Sequence, residues 1–106
     1  LSFLCGRVSY VFGFRGPCIS VDTACSSSLA ATHLGRKAIL TEECNTATVA
    51  GTNVMIVPQT TAGICNLQAL AIDGRCKTLD ATANGYGRAE AIIAVILSRT
   101  EKQESG

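Results

Sequence analysis

Aromatic side chains are scarce in this 106-residue chain, which has three phenylalanines, two tyrosines and no tryptophan. Phe3, Tyr10, Phe12 and Phe14 crowd the first segment and only Tyr86 lies beyond it, so Ala, Val, Ile and Leu must pack the remainder. That pattern reads as a slice of a larger core. Histidine occurs once, at His33, and the six cysteines (5, 18, 25, 44, 65 and 76) include no C-x-x-C pair. The spacing therefore argues against a zinc centre and against a disulfide scaffold, and no metal is expected. Most of the cysteines are expected to be small buried hydrophobes in a reducing compartment such as the cytoplasm. Nine basic and eight acidic residues leave a net charge of +1, too small a field to collect nucleic acid or an anionic membrane. No apolar run approaches the roughly 20 residues of a membrane span, and the first residues lack the features of a signal peptide. Targeting encoded further upstream stays open. Internal repeats, low-complexity tracts and linkers are also lacking.

What is present is 47% hydrophobic residues, enough for the core of one small domain. The chain opens at Leu1 without a methionine and stops a few residues after an apolar strand, in Thr100-Glu101-Lys102-Gln103-Glu104-Ser105-Gly106. Residues 1–106 are accordingly expected to be part of one domain, truncated at both ends. Gly6-Arg7-Val8-Ser9-Tyr10-Val11-Phe12 has helical spacing and should end near Gly13, and Arg15-Gly16-Pro17 turns the chain. Cys18-Ile19-Ser20-Val21-Asp22 alternates like a strand. From Ser26 to about Glu43 the apolar positions describe a helix with few polar sides, hence a central one. Residues 46–55 read as a second strand closed by Val57-Pro58, and residues 61–71 as a short helix. Asp73-Gly74-Arg75 signals a turn, and an ordered loop should run through Arg88. Ala91-Ile92-Ile93-Ala94-Val95-Ile96-Leu97 is a continuous apolar run, the mark of a strand covered on both faces. This order predicts a layered α/β domain.

The most informative stretch is Val21-Asp22-Thr23-Ala24-Cys25-Ser26-Ser27-Ser28-Leu29, which sets a cysteine between a β-branched apolar run and a long helix. At such a junction a side chain can be lifted clear of the backbone, and the unpaired N–H groups and dipole of the helix start favour an anion. A thiolate is such an anion, and helix N-termini are among the environments that lower a cysteine pKa. Cys25 is therefore the candidate nucleophile. Its backbone N–H is the natural half of an oxyanion hole, where a single donor is worth roughly 3–4 kcal/mol. Asp22 and Thr23 are expected to shape the junction through hydrogen bonds to local backbone, with Ala24, Ser26 and Ser27 completing it. The hydroxyls of Ser26, Ser27 and Ser28 suit the exposed N–H groups of a helix start. His33 falls eight residues after Cys25, ~12 Å away by helical rise, too far for a hydrogen bond, and is read as structural. Arg88 and Glu90 suggest an ion pair at a strand start, buried or solvated. Gly85 and Gly87 suit positive φ and form no phosphate loop, because no Gly-Lys-Ser/Thr follows.

The octapeptide Asp22-Thr23-Ala24-Cys25-Ser26-Ser27-Ser28-Leu29 closely resembles the active-site signature of β-ketoacyl synthases in the form used by type I polyketide synthases. Gly6-Arg7-Val8-Ser9-Tyr10 with Phe14-Arg15-Gly16-Pro17 resembles the segment preceding that cysteine. Asp73-Gly74-Arg75-Cys76-Lys77-Thr78-Leu79-Asp80 and Gly85-Tyr86-Gly87-Arg88-Ala89-Glu90 are similar to two later loops of the family. Four motifs follow in family order across nearly the whole chain. The departures are Ala89 and Ala91 where glycine is usual, Leu79 where phenylalanine is usual, and Cys18 where serine is usual; added methyl groups change the local shape of the loop.

The resemblance implies a thiolase-like α-β-α-β-α fold, of which this chain would be part of the N-terminal half, in a homodimeric domain. It implies that Cys25 takes an acyl chain as a thioester from a phosphopantetheine arm presented by an acyl carrier protein, with no cofactor bound directly. A malonyl-type extender then loses carbon dioxide and its carbanion attacks the thioester, a better electrophile than a serine ester. Acyl and malonyl thioesters and the acyl carrier are the implied partners, with no nucleic acid and no membrane span. Two further family histidines, in His-Gly-Thr-Gly-Thr and Asn-Ile-Gly-His motifs, do not occur in these residues, so this stretch alone is expected not to condense substrates. The alternatives are a non-elongating ketosynthase-like domain that binds acyl carriers, a fatty acid synthase ketosynthase, and a thiolase-type acyltransferase.

Overall fold

The computed structural model describes residues 2–100, and the tail 101–106 read as following the last strand lies outside the described residues. The elements run α1 (Ser2–Phe12), a 3-10 turn (Ala24–Ser26), α2 (Ser27–Leu40), β1 (Thr46–Asn53), α3 (Pro58–Asn66) and β2 (Ala91–Ser98). β1 and β2 pair as a two-stranded sheet, which makes the chain α/β. It divides into two compact units, residues 1–51 with 93–106 and residues 52–92.

In the first unit α1 stops where glycine allows it. Gly13 takes φ +67, its N–H donates to Tyr10 O at 3.3 Å, and the N–H of Phe14 donates to Ser9 O at 2.9 Å. This is the Schellman closure, which satisfies carbonyls that the helix end would leave open. α2 closes in the same way one turn after its last core residue. Glu42 sits at φ +63, and Glu42 and Glu43 donate to Ile39 O and Ala38 O at 3.2 and 2.9 Å. Arg99 adds a guanidinium to that end, donating to Ile39 O at 3.3 Å and to Glu42 Oε1 at 3.4 Å.

Two glycines set the distance between α2 and the sheet. A Cβ on Gly35 would come within 2.9 Å of Val49 Cγ2 and 3.5 Å of Leu97 Cδ1, and one on Gly51 within 2.5 Å of Ser28 Oγ. Helix and strands thus meet backbone to side chain, and Ile39 and Val49, 7% and 8% exposed, form the core of this contact.

The second unit is a helix and a loop stitched to itself. Pro58 opens α3 at the first helical position, where its missing N–H costs nothing. Leu70 and Tyr86 form an isolated parallel bridge, with Ala71 N donating to Tyr86 O at 3.0 Å and Tyr86 N to Ala69 O at 3.1 Å. Gly85, at φ +127, faces the backbone of Leu70 and Ala71, and Gly87 faces Gly74 O, so neither place has room for a side chain. Only Gly85 needs the positive φ read for both; Gly87 is required by the close approach. Asp73 receives Arg75 N at 3.4 Å and pairs with Lys77 Nζ at 2.9 Å, and Lys77 donates to Asn84 Oδ1 at 2.6 Å. Asp80 Oδ1 accepts Thr82 N at 2.7 Å. The stretch through Arg88 is the ordered loop that its turn residues predict.

Several expectations are corrected. Residues 18–22 form no strand, because a strand needs a ladder partner and β1 and β2 pair with each other. The helix read over residues 61–71 is Pro58–Asn66, begun by the proline and ended once Leu67 and Gln68 turn back onto Ile64 O and Cys65 O. β2 is not covered on both faces: Ile92 and Ile96 are 75% and 72% exposed. α2 buries only Ile39, so it is not enclosed as a central helix would be. The cysteines are thiols, but none is buried; Cys5 and Cys44 are half-buried and the other four exposed. Each of these faces lacks a covering layer among the described residues.

Candidate active site

The junction around Cys25 is built by short polar side chains that bond to backbone two to four residues away. Asp22 Oδ1 accepts the N–H of Ala24 at 3.0 Å, the local turn that a short carboxylate makes readily. Ser27 Oγ accepts the N–H of Thr23 at 2.9 Å and donates to Ala24 O at 2.6 Å. Ser26 Oγ lies 2.8 Å from Thr23 O and 2.9 Å from Thr23 Oγ1. These five contacts bracket the Thr23–Ala24 peptide from both sides.

Between those contacts the backbone bends sharply. Ala24 stands at φ +56, a left-handed conformation that costs an L-residue roughly 1 kcal/mol or more. The bend leads directly into the 3-10 turn Ala24–Ser26, with Cys25 at its middle and its side chain exposed. α2 begins two residues later at Ser27. Its first turn is seated on the sheet by Ser28, whose hydroxyl occupies the space over Gly51. The thiol is thus presented on a strained, hydrogen-bonded corner that is anchored to a helix packed on β1.

The structure brings Asp22, Thr23, Ala24, Cys25, Ser26 and Ser27 together in one corner. It alters two of the roles read from sequence. Ser26, at the N-cap of α2, makes no capping hydrogen bond; the hydroxyls of Ser26 and Ser27 turn back to residues 23 and 24 instead. Arg88 and Glu90 do not pair: Arg88 Nη1 donates to Thr61 Oγ1 at 2.8 Å, and Glu90 Oε1 accepts the N–H of Met55. Both groups staple the loop of the second unit to neighbouring segments, which ion-pair reasoning from sequence missed. His33 lies exposed on α2, beyond the first turn. The strain at Ala24 had no signature in its residue type, since alanine gives no hint of positive φ.

Among the described residues no cluster of three His, Cys, Asp or Glu could hold a metal ion. No described helix is long and apolar enough to cross a membrane.

Cys25 thus stands on a bent corner at the foot of a helix, in an α/β unit. Residues 1–103 match the family model of the β-ketoacyl synthase N-terminal domain, and the chain belongs to that family. It is 47% identical over 100 residues to a non-reducing polyketide synthase of Aspergillus oryzae, covering 94% of this chain and 5% of that protein. A non-reducing polyketide synthase of Aspergillus terreus is 48% identical over 100 residues, with 94% and 4% covered. Among solved structures, the oxazolomycin ketosynthase domain of Streptomyces albus superposes with a TM-score of 0.89 at 41% identity, covering 92% of this chain and 18% of that one. The ketosynthase from module 6 of the bacillaene synthase of Bacillus subtilis gives 0.86 at 39% identity, with 90% and 17% covered. The fold is therefore the thiolase-like ketosynthase fold, in part, and the polyketide-synthase resemblance of the sequence holds. The chain spans about 5% of the length of the first of these curated relatives.

Proposed function

We propose that this chain supplies the nucleophile of a polyketide-forming β-ketoacyl synthase, an acyltransferase, with residues 1–106 as one part of a single ketosynthase domain in a reducing compartment. The observation that carries this reading is the exposed Cys25 on the corner fixed by Asp22, Ser26 and Ser27. The Cys25 thiolate attacks the thioester carbonyl of an acyl chain carried on the phosphopantetheine of an acyl carrier, and the carrier thiol leaves. The Cys25 N–H is one donor to the oxyanion of each tetrahedral intermediate. A malonyl-type thioester then gives up its carboxylate as carbon dioxide, and the electron pair left behind attacks the Cys25 thioester. A carbon–carbon bond forms, the C–S bond breaks, and Cys25 returns to the thiolate. The domain works as a homodimer and binds no cofactor of its own. The groups that drive decarboxylation belong to other parts of the domain, so these 106 residues alone carry out acylation at most, not condensation.

The test is acylation of the full-length protein that carries this sequence, using a short acyl thioester of pantetheine and locating the added mass by digestion. The acyl group is expected on Cys25, with Cys25→Ala removing it while leaving the exposed Cys18, Cys65 and Cys76 unlabelled. Equal labelling of Cys18, Cys65 and Cys76, unaffected by Cys25→Ala, would defeat the proposal.

A further inference from the structure

A second thiol site stands apart from Cys25, where α1 runs beside residues 18–20. Cys5 and Ser9 are one helical turn apart on α1, and Cys18 and Ser20 alternate on the facing segment. The hydroxyl of Ser20 donates to Cys5 Sγ at 3.1 Å, and that of Ser9 donates to Cys18 Sγ at 3.3 Å. Helix and segment thus face each other through two serine–cysteine contacts. Cys5, Ser9 and Cys18 also line the same cavity of about 570 Å³, which gives a small reagent room to reach the sulfurs.

From this geometry we propose that Cys5 and Cys18 are a dithiol pair that closes reversibly to a disulfide, with a small-molecule disulfide of the glutathione class as oxidant. The Ser20 hydroxyl, and after it the Cys18 thiol, hold the Cys5 thiol below its ordinary value. Cys5 is therefore the attacking sulfur, since the thiolate is the nucleophile in exchange. Its thiolate displaces one thiol from the oxidant and forms a mixed disulfide. Cys18, losing its proton, then attacks the Cys5 sulfur and expels the second thiol. Two protein thiols and one disulfide become one protein disulfide and two thiols, with two electrons passed to the oxidant. Excess thiol reverses both steps. The bond would pin α1 to the segment that leads, four residues later, to Asp22.

The experiment treats the full-length protein with graded ratios of oxidised to reduced glutathione, quenches by alkylation and maps the six cysteines of this stretch after digestion. The expected product is a peptide pair joined through Cys5 and Cys18, lost on adding excess reduced glutathione. Cys18→Ser should leave a stable glutathione adduct on Cys5. Ser20→Ala should slow alkylation of Cys5 about fivefold relative to Cys65 in the same digest, the factor expected for one lost hydrogen bond to a thiolate. Separate adducts on Cys5 and Cys18 at every ratio would overturn the proposal. So would joining of either one to Cys44, whose Cβ lies near Gly16 in the same cavity, or no reaction at either thiol. The wild-type map decides among these outcomes even if a variant fails to fold.

Discussion

At the scale of single residues, the corner before α2 depends on one carboxylate more than on any hydroxyl. Thr23 O and Ala24 O, which accept the Ser26 and Ser27 hydroxyls, also accept the backbone N–H groups of Ser26 and Ser27, so loss of either hydroxyl leaves each carbonyl a partner. Asp22 alone engages the N–H of Ala24, the residue at φ +56. Asp22→Ala is expected to cost roughly 1 kcal/mol of stability, the usual worth of such a local hydrogen bond, and to slow Cys25 acylation about tenfold by letting the corner relax. Asp22→Asn keeps an oxygen acceptor and should recover most of both. Urea unfolding and the rate of acyl transfer from a pantetheine thioester would check this; equal rates for Asp22→Ala and wild type would show that the bend holds itself. Much of this corner was legible beforehand because Asp, Thr and Ser announce local side-chain to backbone bonding. The direction of the serine hydroxyls was not, since the same residues serve a helix cap or a turn with equal ease, and only the left-handed Ala24 decides between them.

At the scale of elements, the α2–sheet contact turns on Gly35. In a free helix, alanine is preferred to glycine by about 1 kcal/mol, so Gly35→Ala would ordinarily stabilise α2. Here the new Cβ would meet Val49 Cγ2 at 2.9 Å, and Val49 is buried at 8% exposure. Overpacking of this kind costs typically 1–3 kcal/mol, and the expected net effect is destabilisation by about 1 kcal/mol, read as a lower urea midpoint. A raised midpoint would mean that α2 backs away from β1 without loss. Helices and strands with strong periodicity were readable from sequence, as α2, β1 and β2 show. The strand read at residues 18–22 was not formed, because alternation records which side chains share a face and says nothing of whether a neighbouring strand is there to pair. α3 was shifted for a related reason: Pro58 closes a strand and opens a helix with the same fixed φ, and the local sequence does not separate the two uses.

The loop of the second unit gives that scale a pH dependence. Lys77, by hydrogen bond and charge, holds the Asp73 carboxyl below the usual carboxylate range, and the N–H and hydroxyl of Thr82 do the same for Asp80. A carboxylate whose pKa is lower folded than unfolded contributes stability above its unfolded value, and that contribution disappears as pH falls through the folded one. On acidification through and below the ordinary Asp range the loop should therefore lose these two contributions, which are small at exposed groups, and keep the Leu70–Tyr86 backbone bridge, which does not titrate. Carboxyl chemical shifts followed against pH would show both midpoints displaced downward. Lys77→Met should raise the Asp73 midpoint and leave that of Asp80 in place; movement of both together would refute separate anchoring.

For the whole molecule, the exposed apolar surface sets the behaviour of these 106 residues in isolation. Phe3 is 90% exposed, Leu29 75%, Ile92 75% and Ile96 72%, on α1, α2 and β2. Exposure of one such side chain is ordinary, but exposure of the apolar run of a strand together with the faces of two helices marks surface made to be covered. Among the described residues β1 is the only strand neighbour of β2, in a two-stranded sheet, and an apolar edge with unpaired backbone groups is a template for further pairing. A net charge of +1 supplies little repulsion to oppose association. The isolated 106-residue chain is therefore expected to bind a hydrophobic dye strongly and to sediment as a concentration-dependent mixture of assemblies. Lengthening it toward the full domain should abolish both properties together, because the added layers would cover α1, α2 and β2. A monomer at high concentration with a single cooperative thermal transition and no dye binding would mean that the two units bury enough between their own elements to stand alone.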